Sequence, residues 1–348
     1  MQTRLPHFDL IALQRLKTAL EFGVFCLLGA LLPSHFAGGA TVYSEPVGFL
    51  KVTVPPATPQ HVSAKLIGVP FQSASVFKGT IASVGSSTIT CSSPGWRNNQ
   101  FSGRPHFLKI LSGSAVGKCV LIAANTVDTI SCAENSVPVV VGDSFEIFAA
   151  YTLAGLLNPP QSPGLTVGGT TAATANLVRL LEGGTWTSYF HNGSNWRTSA
   201  TSAIQDTTII APDNGALIVN QSTGAVSLTL FGAVSTGTEV NRIPSAGQGG
   251  FAPRFPVRRS LKDLGIQLCS GWSTAPTASQ SDSVLFWSDS GWKVFYHDGM
   301  HWLGVGLSGS QDDTVLEPGE AAVVRRRDGA GSSTLLNSHG WFSYGTSP

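Results

Sequence analysis

The chain has 348 residues, with 21 Lys or Arg against 20 Asp or Glu, and a net charge of +1. Charged residues make up 12% of it, where an average soluble domain carries about 25%. That balance excludes a basic nucleic-acid-binding stripe, a charge-rich coiled coil and a charged disordered tail.

Residues 1–40 read as a signal peptide. Arg4, Arg15 and Lys17 precede an apolar run over residues 22–32, which Pro33 ends. Ala37, Gly38, Gly39 and Ala40 then supply the small residues that cleavage needs, with the cut near Gly39 or Ala40. The run is too short for a membrane span, which takes about 20 residues. No lipobox surrounds Cys26, and no second run of spanning length follows. The expectation is an exported protein with no membrane span after cleavage, outside the cell, on its surface or in the periplasm. Cleavage removes three basic and two acidic residues and leaves 18 of each.

Beyond residue 40 helical periodicity is nearly absent. Short apolar or alternating runs alternate with Gly, Pro, Asn-Gly and Asp-Gly punctuation, the pattern of an all-β chain. Strands are expected over 47–54, 64–69, 79–84, 88–91, 106–111, 119–123, 129–132 and 144–149. Residues 41–150 form an N-terminal β domain on this reading, a small sandwich or barrel. Residues 154–174 and 244–256 read as linkers. Leu261 and Leu264 fit one helical turn.

Four cysteines follow the signal segment: Cys91, Cys119, Cys132 and Cys269. None has the C-x-x-C spacing of a metal or redox site. Cys119 and Cys132 flank Asn125-Thr126 symmetrically. A hairpin turning there would face them as a disulfide; the other reading is two separate buried thiols. Three connectivities are formally open.

The second half carries an internal repeat. Residues 178–212 align with 284–318 at a constant offset of 106, and ten positions are identical. The pairs include Trp186/Trp292, His191/His297, Gly193/Gly299, Trp196/Trp302, Gln205/Gln311, Asp206/Asp312 and Pro212/Pro318. A fixed register implies one supersecondary element used twice. Each copy reads as a β-meander, with Asn-Gly or Asp-Gly in a type I′ turn. The expected fold is therefore all-β, with the N-terminal sandwich or barrel followed by a duplicated β-meander region. Its first unit is 151–240; a linker and the second unit occupy 241–348.

These motifs carry a resemblance. Residues 41–49 (Thr-Val-Tyr-Ser-Glu-Pro-Val-Gly-Phe), Phe77-Lys-Gly-Thr-Ile, Ala124-Asn-Thr, Gly142-Asp-Ser-Phe, the Tyr296-His-Asp-Gly-x-x-Trp turn and the terminal Pro318-Gly319 with Val324-Arg-Arg belong together. The chain resembles an uncharacterised family of exported β-rich proteins found as paralogous sets in Verrucomicrobial bacteria. The resemblance implies export and architecture, and it brings no activity, cofactor or catalytic residue. The run Arg325-Arg326-Arg327 is one residue more basic than the family pattern.

Several constellations were candidates for chemistry. Gly304-Val-Gly-Leu-Ser-Gly309 matches G-x-G-x-x-G, but the motif needs a strand before it and a helix after it. His297 and His301 are four apart across a turn, which does not make a metal site, and no metal or other cofactor is expected. His191 and His297 read as turn caps. Asp206 and Asp312 could form a carboxylate pair for glycoside hydrolysis, or serve ordinary loop hydrogen bonding. Arg325-Arg326-Arg327 reads as a charge-protected edge strand. Trp186, Trp196, Trp292 and Trp302 are the binding candidates, either as platforms for sugar rings or as meander cores. Trp96, Trp272 and Trp341 also sit next to Gly. No catalytic constellation is visible, and no nucleic-acid partner is expected. The reading is an exported, non-enzymatic protein with a structural or adhesive role, its partners surface polysaccharide or other copies of itself. The alternatives are a carbohydrate-binding module and a secreted glycan hydrolase.

Overall fold

A computed structural model describes residues 46–159, 162–288 and 291–327, and the backbone of a strand at Thr334–Ser338. Residues 1–40, Asp289, Ser290 and Trp341 lie outside the described residues. The chain begins with β1 (Val47–Val54) and β2 (Ser63–Ile67). Then come β3 (Ser75–Val84), β4 (Thr88–Cys91), β5 (His106–Ile110), β6 (Cys119–Asn125), β7 (Thr129–Cys132) and β8 (Ser144–Ala149). A single helical turn, α1 (Leu153–Leu156), leads to β9 (Leu177–Glu182), β10 (Thr185–His191), β11 (Trp196–Thr198), β12 (Ala216–Asn220) and β13 (Val226–Ala233). The last part holds β14 (Glu239–Ile243), β15 (Gly247–Phe251), β16 (Arg259–Ser260) and α2 (Leu261–Leu264). It ends with β17 (Ser283–Ser288), β18 (Gly291–His297), β19 (Trp302–Gly304), β20 (Val315–Leu316), β21 (Ala322–Arg326) and β22 (Thr334–Ser338). The fold is all-β. Among the described residues no helix is long and apolar enough to cross a membrane.

The N-terminal candidate resolves as a closed barrel in the order β3-β4-β7-β6-β5-β8. Closure removes the exposed edges that an open sheet would present. Ile81, Ile89, Leu108, Val120, Ile130, Phe145 and Ile147 fill its interior. Strands β1 and β2 stand apart from the barrel. β1 pairs with β13 and β2 with β12. The alternating apolar pattern of 47–67 marked strands correctly but could not tell which sheet would take them.

The two later units each build a five-stranded sheet. One runs β11-β10-β9-β12-β2, the other β15-β21-β17-β18-β19. Val178 lies opposite Tyr189 in the first, and Val284 lies opposite Phe295 in the second, both shifted by the same 106 positions. Neither sheet has a polar face. In β12, Ala216 and Ile218 enter one core while Leu217 and Val219 enter another. In β17, Val284 and Phe286 point one way and Leu285 the other. The second set of faces meets in one shared layer of Ala64, Leu66, Leu181, Leu217, Val219, Leu285 and Val323. The β1–β13 ribbon covers the outer face of the first sheet with Val52, Val54, Leu228 and Leu230. Each such side chain contributes about 1.5–3 kcal/mol by leaving water.

Two readings need correction. The 244–256 stretch contains β15, paired with β21 from Gly247 opposite Arg326 to Phe251 opposite Ala322. Its three glycines leave little side-chain signal, so backbone pairing was invisible in the pattern. The same pairing corrects the reading of the arginine run: β21 is interior, between β15 and β17, not an edge. Arg326 is buried and reaches Asp282 at 2.7 Å.

Charge also binds the barrel to the rest. Lys109 on β5 and Glu146 on β8 project from the barrel's outer side and are buried. Lys109 Nζ pairs with Glu239 of β14 and donates to Ser235 Oγ at 3.1 Å and Gln72 Oε1 at 3.3 Å. Gln72 Nε2 donates to Glu146 Oε1 at 2.9 Å. Arg254 lies 2.9 Å from the second oxygen of Glu239. Lys109 serves both Glu146 and Glu239, and without it two buried carboxylates are left with Arg254 as their one buried cation, so Lys109→Met should lower stability by about 3–5 kcal/mol in urea unfolding.

Candidate functional site

The repeated tryptophans separate into two pairs. Trp196 is fully buried and Trp302 is 1% exposed. Both are therefore core, which corrects their candidacy as binding platforms. Each begins the short third strand of its meander, opposite the histidine that ends the second: Trp196 faces His191 and Trp302 faces His297. The rings meet edge to face at 5.5 and 5.4 Å.

The recurrent aspartates hold this arrangement. Asp206 Oδ1 accepts the Trp196 N–H at 2.7 Å, and Oδ2 accepts Asn195 Nδ2 at 2.7 Å. In the second unit Asp312 Oδ1 accepts the Trp302 N–H at 2.7 Å, and Oδ2 lies 2.8 Å from His301 Nδ1. Asn195 and His301, which differ in type, thus fill one role. Both carboxylates serve their own loops. Among the described residues, no group of three or more His, Cys, Asp and Glu is placed to hold a metal.

The connecting turns are not type I′. Positive φ occurs at Gly193 (104°) and Gly299 (110°), but not at Asn192 or Asp298. A four-residue loop forms instead, closed by the side chain. Asn192 Oδ1 accepts the N–H groups of Ser194 and Asn195, and Asp298 Oδ1 those of Met300 and His301. Those two N–H groups hold the Asp298 carboxyl below its ordinary range. The histidines do cap the turns: His191 Nδ1 accepts the Gly193 N–H at 3.1 Å, and His297 Nδ1 that of Gly299 at 3.0 Å.

Trp186 and Trp292 have a different fate. They lie 6.3 Å apart at 34°, one from each unit, on the shared face of the two sheets. Trp287, opposite Trp292 across β17–β18, packs edge-on against it at 5.0 Å. Trp292 remains 36% exposed. Trp287 carries no repeat signal, because the matching position of the first unit is Leu181. The other described tryptophans are structural: Trp96 packs between Phe77 and Phe101 in the barrel, and Trp272 sits edge-on to Trp302. Gly304 ends β19, and the stretch from there to Gly309 is a loop with no helix after it.

Beside this aromatic seam lies a cavity of about 430 Å³. Leu181 lines it, and Leu181 stands directly opposite Trp186 in the β9–β10 pair. Asp213 and Arg242 form its polar wall. Arg242 Nε donates to Asp213 Oδ2 at 2.9 Å and Nη2 to Oδ1 at 3.3 Å. Burial pushes the Asp213 carboxyl up, but the Arg242 guanidinium outweighs it, and the net direction is down. The hydrogen bonds that Arg242 donates to Asp213 raise Arg242 in turn. The pair is ionised and carries no net charge.

The cysteine bridge does not form; all four described cysteines are free. The β6–β7 hairpin places Asn125 opposite Ile130 and, across a bulge, Ile122 opposite Cys132. Its centre lies two residues later than Asn125-Thr126, so Cys119 and Cys132 fall out of register. They also face opposite ways: Cys132 joins the barrel interior, and Cys119 meets Arg254 Nη1 at 2.9 Å outside it. Burial pushes the Cys132 thiol up to about 11 and raises Cys119 as well. Both stay protonated and poorly nucleophilic.

Two outcomes follow. Denatured without reductant, the protein should take up iodoacetamide at both Cys119 and Cys132, read by peptide mass. The histidine caps require an unprotonated Nδ1, and burial lowers both rings below the ordinary value of about 6.5. Their contribution is present above that value and is lost as pH falls through the lower folded values. Urea stability should therefore drop between pH 7 and pH 5, with a shallower drop in H191N/H297N. With the geometry established, comparison with known proteins adds no relative: no family model, no curated protein and no solved structure matches this chain.

Proposed function

We propose that the chain acts as an exported, non-enzymatic β protein with a structural or adhesive role at the cell surface or outside the cell. Export rests on the order of residues 1–40 and on the resemblance to the exported Verrucomicrobial family. The adhesive role rests on one observation, the outward face of the β1–β13 ribbon. Phe49 is 80% exposed and lies directly opposite Phe231, which is 58% exposed, and Val47 beside them is also exposed. Contiguous apolar surface of this kind marks interaction sites. The opposite face of the same ribbon is locked into the core through Val52, Val54, Leu228 and Leu230. The strip is therefore presented on a stiff support, which limits the ordering cost of binding.

The occupant proposed for it is a second copy of the chain. A strip with Phe49 opposite Phe231 is self-complementary under a twofold axis. Balanced charge after signal removal, 18 of each sign, sets no electrostatic barrier between copies. A second reading, a carbohydrate-binding module, is favoured by the Trp186–Trp292 pair with Trp287 at its side.

Light scattering tests the first reading. The full exported chain should self-associate as its concentration rises, and F49S/F231S should stay monomeric with an unchanged melting temperature. A monodisperse wild-type monomer at millimolar concentration, together with no aggregation of protein-coated beads, would sink the adhesive reading.

A further inference from the structure

We infer that the cavity beside Trp186 is a binding site for neutral pyranose oligosaccharides. This deepens the proposal above, since it rests on the reading of the chain as a non-catalytic binding protein and names a ligand class for a site away from the phenylalanine strip. Four features of the cavity point the same way.

The first is charge. Asp213 and Arg242 neutralise one another through two hydrogen bonds. A cavity with such a wall offers no net attraction to a cation, a phosphate or a carboxylate. It still offers donors and acceptors: a guanidinium has five N–H groups, Nε and Nη2 are spent on Asp213, and Nη1 lies 3.9 Å from Glu134, whose charge Lys118 balances at 2.7 Å. Half of the Arg242 side chain is exposed. Planar polar groups with spare hydrogen-bonding capacity suit vicinal hydroxyls, which donate and accept from adjacent carbons.

The second is a side chain fixed in advance. Asn214 lines the cavity, and its Nδ2 donates to the Leu181 carbonyl at 2.7 Å. Its Oδ1 is buried against Gly250. A polar lining residue held in place before the ligand arrives limits the ordering cost of binding.

The third is the wall. Gly183-Gly184 at the β9–β10 turn and the glycines of β15 expose backbone rather than side chains. Gly250 is required locally, because a Cβ there would collide with Asn214 Oδ1. A wall with Gln248 as its one long side chain on β15 admits a saturated ring at close range.

The fourth is the aromatic seam. Trp186 stands across the strand pair from Leu181, with Trp292 tilted against it. The ring faces suit the C–H faces of a pyranose, and Trp292 keeps access to solvent. Both stacking and polar contact are thus present at neighbouring positions, and the cavity volume of about 430 Å³ holds one to two sugar rings.

The test uses the full exported chain and three neutral probes: cellohexaose, mannohexaose and chitohexaose. Hexagalacturonate serves as the acidic comparison. Calorimetry and tryptophan fluorescence should show at least one neutral probe binding with a Kd of about 10⁻⁵–10⁻³ M, that is, about −4 to −7 kcal/mol. R242A and W186A should each weaken it about ten-fold or more. Q248A removes a side chain from the lining without touching the ion pair, and it should weaken binding while leaving the melting temperature unchanged. The inference is overturned if none of the three neutral probes binds, if hexagalacturonate binds more tightly than all of them, or if binding survives all three variants. Bead aggregation separates the two readings. Aggregation that persists without sugar binding leaves the adhesive strip standing and removes only this site. Sugar binding without aggregation does the reverse.

Discussion

Two sheets that are apolar on both faces have to be covered on both, and that constraint organises the molecule. Strand β12 is buried at every position, and β17 and β21 nearly so. A β-sheet normally turns one face to water and alternates accordingly. Here alternation divides two cores instead of core and solvent. One face of each sheet enters the shared layer, so the sheets must pack on each other. The remaining face of the first sheet is closed by the β1–β13 ribbon, which brings the start of the described chain across residues 226–233. The aromatic seam and the exposed phenylalanine strip both arise at the margins of this arrangement. The first is where the shared layer reaches solvent, and the second is the outer side of the cover.

Low charge belongs to the same logic. A chain with 12% charged residues still buries Lys109, Glu146, Glu239, Arg254 and Arg326. Buried ions contribute little net stability, but each must have its partner. Lys109 meets Glu239, Glu239 meets Arg254, and Arg326 meets Asp282. Such pairs fix position where apolar contact alone tolerates sliding. The junction between barrel and β14 needs that, since the apolar cluster nearest it is small, with Phe107, Phe148 and Ala150 at its centre.

Local structure was legible in the sequence wherever it depended on local pattern. The strands at Val47–Val54, Thr88–Cys91, Thr129–Cys132 and Ser144–Ala149, and the turn of helix at Leu261–Leu264, follow from alternation and punctuation alone. The histidine caps were legible because the repeat set His191 and His297 in matching places before an Asn-Gly or Asp-Gly pair. Turn type was not, because the Asx side chains close a four-residue loop that the dipeptide does not reveal. The disulfide reading failed over a single bulge at Ile122 and a two-residue displacement of the hairpin centre. The candidate cavity could not be read at all. Leu181, Asp213, Arg242 and Gln248 come from separate stretches, and β15 carries too few side chains to announce a strand.

The tryptophans show how strand parity decides between packing and access. In β18, Trp292 shares its face with Val294, which packs into the layer between the sheets. Phe295, one position on, enters the opposite core, together with Trp302. The first unit follows the same rule, with Trp186 in the shared layer and Tyr189 and Trp196 in the other core. A register repeated at a fixed offset therefore delivers one tryptophan of each unit to the core of its own meander and the other to the face where the units meet. Two sheets packed on that face bring Trp186 and Trp292 together, and Trp287 joins them from the strand beside Trp292. Neither meander alone contains this aromatic surface. It comes from the packing of two units, so a binding site there would be a property of the pair, acquired without a change in the pattern of either copy.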